Sequence, residues 1–211
     1  MPAGEAARPA ARETRGRGRP RAFDRARALE RALAVFWKKG YAPASVADLC
    51  QAMEIRPPSL YATFGSKAEL FLETLAHYER AYWDGPSARF LAEPDVRRAV
   101  ADFFAEAARI LASPDTPCGC MVVLAAVNIA EEEREIRATV HRLRQATQQM
   151  FEDRLARAQD EGQLPADCDV RTCACALNTL LEGLSLQVRD GMDEAALGAV
   201  AALAVRLLPQ S

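Results

Sequence analysis

The chain reads as an all-α protein, and three observations carry that reading. Apolar residues recur at three- and four-residue spacing almost throughout from Asp24 onward. Serines followed three residues later by an acidic residue, Ser45 with Asp48 and Ser66 with Glu69, stand just ahead of apolar stripes. No window alternates branched residues with a period of two, so strands find no support. At 211 residues, half of them apolar and 27% charged, the chain can bury a core. It shows no repeat of fixed period.

Residues 1–22, rich in Ala, Arg, Gly and Pro without an apolar period, are expected to form a flexible arm. Leu29, Leu33, Phe36 and Trp37 mark a first helix closed by Gly40. Ser45 and Asp48 cap a second, with Val46, Leu49, Cys50 and Met53 inward. Pro57 and Pro58 open a short third, whose apolar side is Leu60, Tyr61 and Phe64. Ser66 and Glu69 cap a fourth over about 67–84. Further helices are expected at 95–112, 120–130 and 134–161, the last stopped by Gly162 and Pro165. Two more follow at 169–189 and 193–208, divided by Gly191 and capped by Asp193. The organisation is an arm (1–22), a helix-turn-helix unit (23–67) and a helical rear (68–211).

The net charge of −2 hides an asymmetry. Residues 1–67 carry thirteen Lys/Arg against six Asp/Glu, and the remainder carries fourteen against twenty-three. A basic front points to an anionic polymer. The longest uncharged apolar run, Ala195 to Val205, is far short of the roughly 20 residues of a spanning helix. Met1 to Ala11 has no apolar leader, so a cytoplasmic protein with no membrane partner is expected.

Residues 45–64 have the proportions of a helix-turn-helix, in which the second helix enters a major groove and the first braces it. Leu60 and Phe64 must then face inward, leaving Arg56, Pro57, Pro58 and Ser59 at the tip and Thr63 one turn on. Arg56 is a long donor suited to a guanine edge. Tyr61 and Thr63 offer hydroxyls to phosphates, and Lys67 and the amides at Ser45 stand where a phosphate is held. A compact three-helix cluster with a solvated polar edge would show the same periodicity. The arm tips the balance: Arg15, Arg17, Arg19 and Arg21 alternate with Gly or Pro, which lets an extended strand enter a narrow minor groove. A basic tail adding only non-specific attraction is the plainer version.

The stretch from Ser45 to Phe71 resembles the DNA-binding signature of TetR/AcrR-type transcriptional regulators. The resemblance rests on Leu60-Tyr61, Phe64, Ser66-Lys67 and Glu69-Leu70-Phe71, with Phe36 and Gly40-Tyr41 before them. This chain departs from the family pattern at Glu54 and Pro58, where glycine is usual, and at Thr63, where a second aromatic is usual. A left-handed Glu54 would be strained by about 1 kcal/mol, so a rearranged turn is expected.

The resemblance implies a homodimer built from the last two long helices, a palindromic double-stranded operator and a small-molecule effector held in the rear. Leu177, Leu180, Leu181, Leu184 and Val188 form one stripe, and Leu197, Val200, Ala201, Ala204 and Leu208 another, which fits a dimer seam of four helices. The same stripes would also serve an intramolecular core. Candidate pocket residues are Phe103, Phe104, Cys120, Met121, Leu124, Asn128, Met150 and Leu180. Each apolar one could equally be ordinary core.

Six cysteines without a secretion signal read as reduced thiols. By resemblance, Cys120 is a candidate sensor of oxidants or electrophiles. Cys173 and Cys175 point to different sides of one helix, and C-x-x-C pairs are lacking, so no metal or other cofactor is expected. Two histidines, no phosphate loop and no H-E-x-x-H speak against an enzyme. The reading is a ligand-responsive repressor. The alternatives are an architectural DNA-binding protein and a thiol-based sensing regulator.

Overall fold

The computed structural model describes residues 24–125 and 129–209, and every regular element in them is helical. Helix α1 (Arg25–Lys39) starts where the Asp24 carboxylate accepts the Arg27 N–H at 3.1 Å, and it stops at Gly40, whose φ of 84° favours glycine. Helix α2 (Val46–Met53) opens on the expected reciprocal cap. Ser45 Oγ accepts the Asp48 N–H at 3.1 Å, and the Asp48 carboxylate accepts the Ser45 N–H at 3.0 Å. Helix α3 (Pro57–Phe64) follows, then α4 (Lys67–Tyr78), capped by Ser66 Oγ on the Glu69 N–H. Helix α1 packs on α2 and α4, and Leu33, Phe36, Leu49, Leu60, Leu70 and Phe71 close the core between them.

The turn between α2 and α3 is not rearranged. Glu54 takes the left-handed conformation (φ 57°, ψ 38°), and its N–H reaches the carbonyls of Cys50 and Gln51. Its carboxylate pairs with Arg31 at 3.0 Å across an exposed edge. The helix therefore ends as a glycine-capped helix would, and the side chain tolerates the strain.

The fourth helix does not stop near residue 84. A π turn over Glu79–Trp83 carries α4 straight into α5 (Asp84–Ala92). Pro86 sits in the first turn of α5, where a missing N–H leaves little unsatisfied, and the wider turn makes room for it. Helices α6 (Val96–Leu111), α8 (Arg134–Asp160), α9 (Val170–Arg189) and α10 (Glu194–Ala201) then build the rear. A 3₁₀ turn, Ala202–Leu207, extends α10. Phe90, Phe103, Phe104 and Phe151 form a ring cluster with centroids 5.2–6.0 Å apart, which pins α5, α6 and α8 together.

Between α6 and α8, where a helix over 120–130 is expected, residues 129 and 130 are not helical, and the described residues form one turn, α7 (Met121–Leu124). Its carbonyls are claimed from outside. Arg144 Nη2 donates to Val122 O at 2.9 Å and Val123 O at 3.1 Å, and Ala125 O accepts the Tyr41 N–H at 2.9 Å. Among the described residues, no helix is long and apolar enough to cross a membrane.

The stripes assigned to a dimer seam lie inward. Leu177, Leu181, Leu184, Val188, Leu197, Ala204 and Leu208 are all buried within the single chain, and Val200 and Leu180 are half-buried. The most apolar stripe is the one that α9 and α10 spend on α6 and α8. The outward faces carry Leu186, Leu203 and Leu207, with Gly183 and Gly198, where an added Cβ would meet no atom within 4 Å.

Arg154 is fully buried. One of its nitrogens donates to Glu93 O at 2.8 Å and to Pro94 O at 3.0 Å, tying α8 to the α5–α6 corner. Its Nε and Nη1 have no hydrogen-bond partner among the described residues, and burial, with Arg157 nearby, lowers its pKa. Both carbonyls keep a second donor, Glu93 O from Arg157 and Pro94 O from Gln163. Removing the charge therefore strands nothing, whereas removing the volume opens a hole. Arg154→Met is expected to change stability by less than about 1 kcal/mol, and Arg154→Ala to cost about 2–3 kcal/mol, read from urea midpoints.

Candidate nucleic-acid interface and ligand cavity

The tip of α3 faces solvent. Arg56, Pro57, Pro58 and Ser59 are exposed, Tyr61 is half exposed, Thr63 is half-buried, and Leu60 and Phe64 point inward. Two prolines at the start remove two N–H groups, and the Ser59 N–H is spent on Arg56 O at 2.9 Å. The tip thus offers side chains and apolar ring faces rather than backbone amides. That set suits base edges and thymine methyls more than phosphate.

Most neighbouring cations are engaged. Arg25 is bidentate on Glu73 and lies over the Phe64 ring, Arg31 pairs with Glu54, and Lys39 pairs with Asp48 at 2.7 Å. Among the described basic residues before Lys67, Arg27, Lys38 and Arg56 carry no ion pair. Arg56, Arg27, Ser59 and Thr63 line one open groove between α1 and α3. Lys67 does not extend to solvent as expected. It lies 4.5 Å over the Tyr41 ring and donates to Ala42 O at 3.4 Å, and burial lowers its pKa. Ser45 is exposed, but its N–H and Oγ are taken by Asp48. Arg17, Arg19 and Arg21 lie outside the described residues.

A cavity of about 60 Å³ opens between α5, α6, α7, α8 and α9. Of the expected lining, Phe103, Cys120 and Met150 reach it. Phe104 and Met121 are fully buried elsewhere, and Leu124 and Leu180 are half-buried away from it. Asn128 lies outside the described residues. Polar groups missed from the sequence complete the wall: Glu79, Ser87, Arg144, Thr147, Asn178, Glu182 and Ser185. Their signal was present as the three- and four-residue spacing of 144, 147 and 150, and of 178, 181, 182 and 185, on helix faces that turn inward. Arg144 Nε is buried with no hydrogen-bond partner among the described residues. Burial pushes the Cys120 thiol up to about 11, which disfavours the thiolate that a sensing cysteine needs.

One backbone segment joins the two regions. Residues 119–125 form a cavity wall through Cys120, Val122 and Val123. At its start, Gly119 O accepts Trp37 Nε1–H at 2.8 Å, and at its end Ala125 O accepts the Tyr41 N–H. Tyr41 also donates its hydroxyl to Glu133 at 2.6 Å, just before α8. A Cβ on Gly119 would stand 2.7 Å from Ser185 O, so only glycine lets the segment lie between α1 and α9.

Residues 28–74 match the model of the bacterial regulatory proteins of the tetR family, and residues 96–203 that of the tetracyclin repressor-like C-terminal domain. The chain is 35% identical over 200 residues to the HTH-type transcriptional repressor ComR of Escherichia coli strain K12, an alignment that covers 93% of this chain and 94% of that protein. The chain belongs to the TetR family. Another TetR-family relative, the HTH-type transcriptional repressor BdcR of the same strain, is 31% identical, with 92% and 93% covered. A solved TetR-family structure, a cysteine mutant of the regulator CifR complexed with 26bp double-strand operator DNA, superposes with a TM-score of 0.86 at 42% identity. It covers 91% of this chain and all of that one. This TetR-family chain is a transcriptional regulator.

Glu79 supplies a pH test of the cavity. Burial, with Asp84 nearby, pushes its carboxyl up to about 7 from an ordinary 4.5. A folded-state pKa above the unfolded one means that the fold favours the protonated form, so stability falls as pH rises from about 4.5 to 7. Glu79→Gln should flatten that fall, gaining about 2 kcal/mol on the wild type between pH 5 and pH 8 in denaturant titrations.

Proposed function

We propose that this chain is a cytoplasmic homodimeric repressor that binds a palindromic operator through α3 and leaves it when a small molecule enters the rear cavity. The observation that carries the reading is the solvent-facing tip of α3, Arg56 to Ser59, on an inward-anchored helix. The operator complex of CifR supports the same reading, because that regulator is 42% identical to this chain. Two copies present two such tips, and a two-fold dimer matches half-sites about 34–36 Å apart. In this reading residues 23–67 form the DNA-binding unit, residues 68–211 receive the effector, and Arg17, Arg19 and Arg21 follow the minor groove.

The coupling runs through residues 119–125. A ligand that needs more room than about 60 Å³ displaces Val122 and Val123, the wall that also holds Trp37 and Tyr41. Both residues terminate α1, the helix on which α2 is seated, so the α3 tip moves with them. Operator affinity falls by the free-energy difference between the two placements, and the operator opposes the ligand equally.

Mobility shift with the DNA upstream of its own gene tests the reading. Binding is expected to that duplex and not to a scrambled one, and equal binding to both would leave an architectural role instead. Arg56→Ala is expected to relax base preference at one position per half-site, at a cost of about 1–3 kcal/mol for the preferred base. Leu186→Arg, on the outward face of α9, is expected to give a folded monomer by size-exclusion chromatography. Ser87→Leu fills the cavity and should mimic the ligand, weakening operator binding about tenfold with no effector added.

A further inference from the structure

The α8–α9 connection brings two thiols together. Cys168 Sγ and Cys173 Sγ stand 3.9 Å apart, the one thiol–thiol contact among the described residues. The backbone on either side is fixed. The Cys168 N–H donates to Pro165 O at 3.0 Å, and Cys168 O accepts Gln159 Nε2–H at 3.1 Å and the Val170 N–H at 3.0 Å. The Cys173 N–H donates to Asp169 O at 3.0 Å, within the first turn of α9, and the Asp169 carboxylate accepts the Thr172 N–H and hydroxyl. The two sulfurs thus face each other from a rigid frame, and both side chains are half-buried, open to a small oxidant. A disulfide needs about 2.05 Å between sulfurs, a closure of roughly 2 Å that side-chain rotation can supply. Among the described residues, no group of three His, Cys, Asp or Glu is placed to hold a metal ion, so the pair lacks the third donor of a structural metal site.

We propose that Cys168 and Cys173 form a dithiol site that a hydroperoxide oxidises to an intrachain disulfide. In the first step the Cys173 sulfur attacks the terminal peroxide oxygen. The O–O bond breaks, the thiol becomes a sulfenic acid, and the peroxide leaves as an alcohol or, from hydrogen peroxide, as water. In the second step the Cys168 sulfur attacks the Cys173 sulfenic sulfur. The S–S bond forms, the S–O bond breaks, and the hydroxyl leaves with the Cys168 proton as a second water. The two thiols together give up two hydrogens, and the peroxide takes both electrons. Burial, with Cys173, Asp169 and Asp167 nearby, raises the Cys168 pKa, which slows its attack on the peroxide; in the second step its proton passes to the departing hydroxyl.

The test uses the reduced full chain, native, with a small excess of hydrogen peroxide. The intact mass is expected to fall by about 2 Da, with two of the six cysteines lost to alkylation. Trypsin cuts after Arg171, between the two cysteines, so the peptides ending and beginning there should remain joined until reduced. Cys175→Ser should keep that link, and Cys173→Ser should abolish it. A wild-type chain that keeps six alkylatable thiols would overturn the proposal. So would one that stops at a sulfinic acid on Cys173, or that links Cys168 to Cys175 or to another chain.

Discussion

The architecture depends on two hydrogen bonds made by a short stretch of backbone, Gly119 O with Trp37 Nε1 and Ala125 O with the Tyr41 N–H. They fasten the end of α1 to the rear. Tyr41 also packs with the rings of Phe36 and Phe71, and Trp37 with those of Tyr78 and Tyr82, at centroid separations of 4.7–6.3 Å. The polar contacts fix direction while the rings supply burial, so the α1 end can change its position only by leaving a packed site. A coupling between two distant sites requires an element held in this all-or-none way.

The cavity wall shares the same economy of parts. Arg144 holds the carbonyls of Val122 and Val123, which an uninterrupted helix would have used itself. The segment is short of internal bonds and long on borrowed ones. Such a segment yields before the long helices around it do, because its hydrogen bonds can be exchanged for bonds to a guest. Arg144 Nε is a buried donor with no hydrogen-bond partner among the described residues, on a side chain that lines that space.

Much of this was legible in the sequence where local chemistry decides. The caps at Ser45 and Ser66, the stop at Gly40 and the proline start of α3 all stand where residue type alone put them, because each satisfies its own backbone within a few residues. The errors come from long-range competition. Residues 121–130 have helical periodicity, but Arg144 and Tyr41, distant in sequence, take the carbonyls of Val122, Val123 and Ala125 that a longer helix would use. Leu177, Leu181, Leu184 and Val188 mark an amphipathic stripe without saying which neighbour covers it, and α6 and α8 cover it first. At Lys67 the sequence marks a charge at a helix start and gives no sign of the Tyr41 ring beneath it. Glu54 shows the reverse: composition foretold strain, and the fold accepts it.

The paired prolines at the head of α3 have a consequence for how such a protein diverges. A reading helix without amides to grip the sugar-phosphate rail takes no grip from its own first turn. In the proposed reading, holding strength and sequence choice therefore reside in separate parts of the chain. On that same reading, a single exchange at the position before the prolines redirects the preferred letters while leaving the hold intact, and new targets become reachable one step at a time.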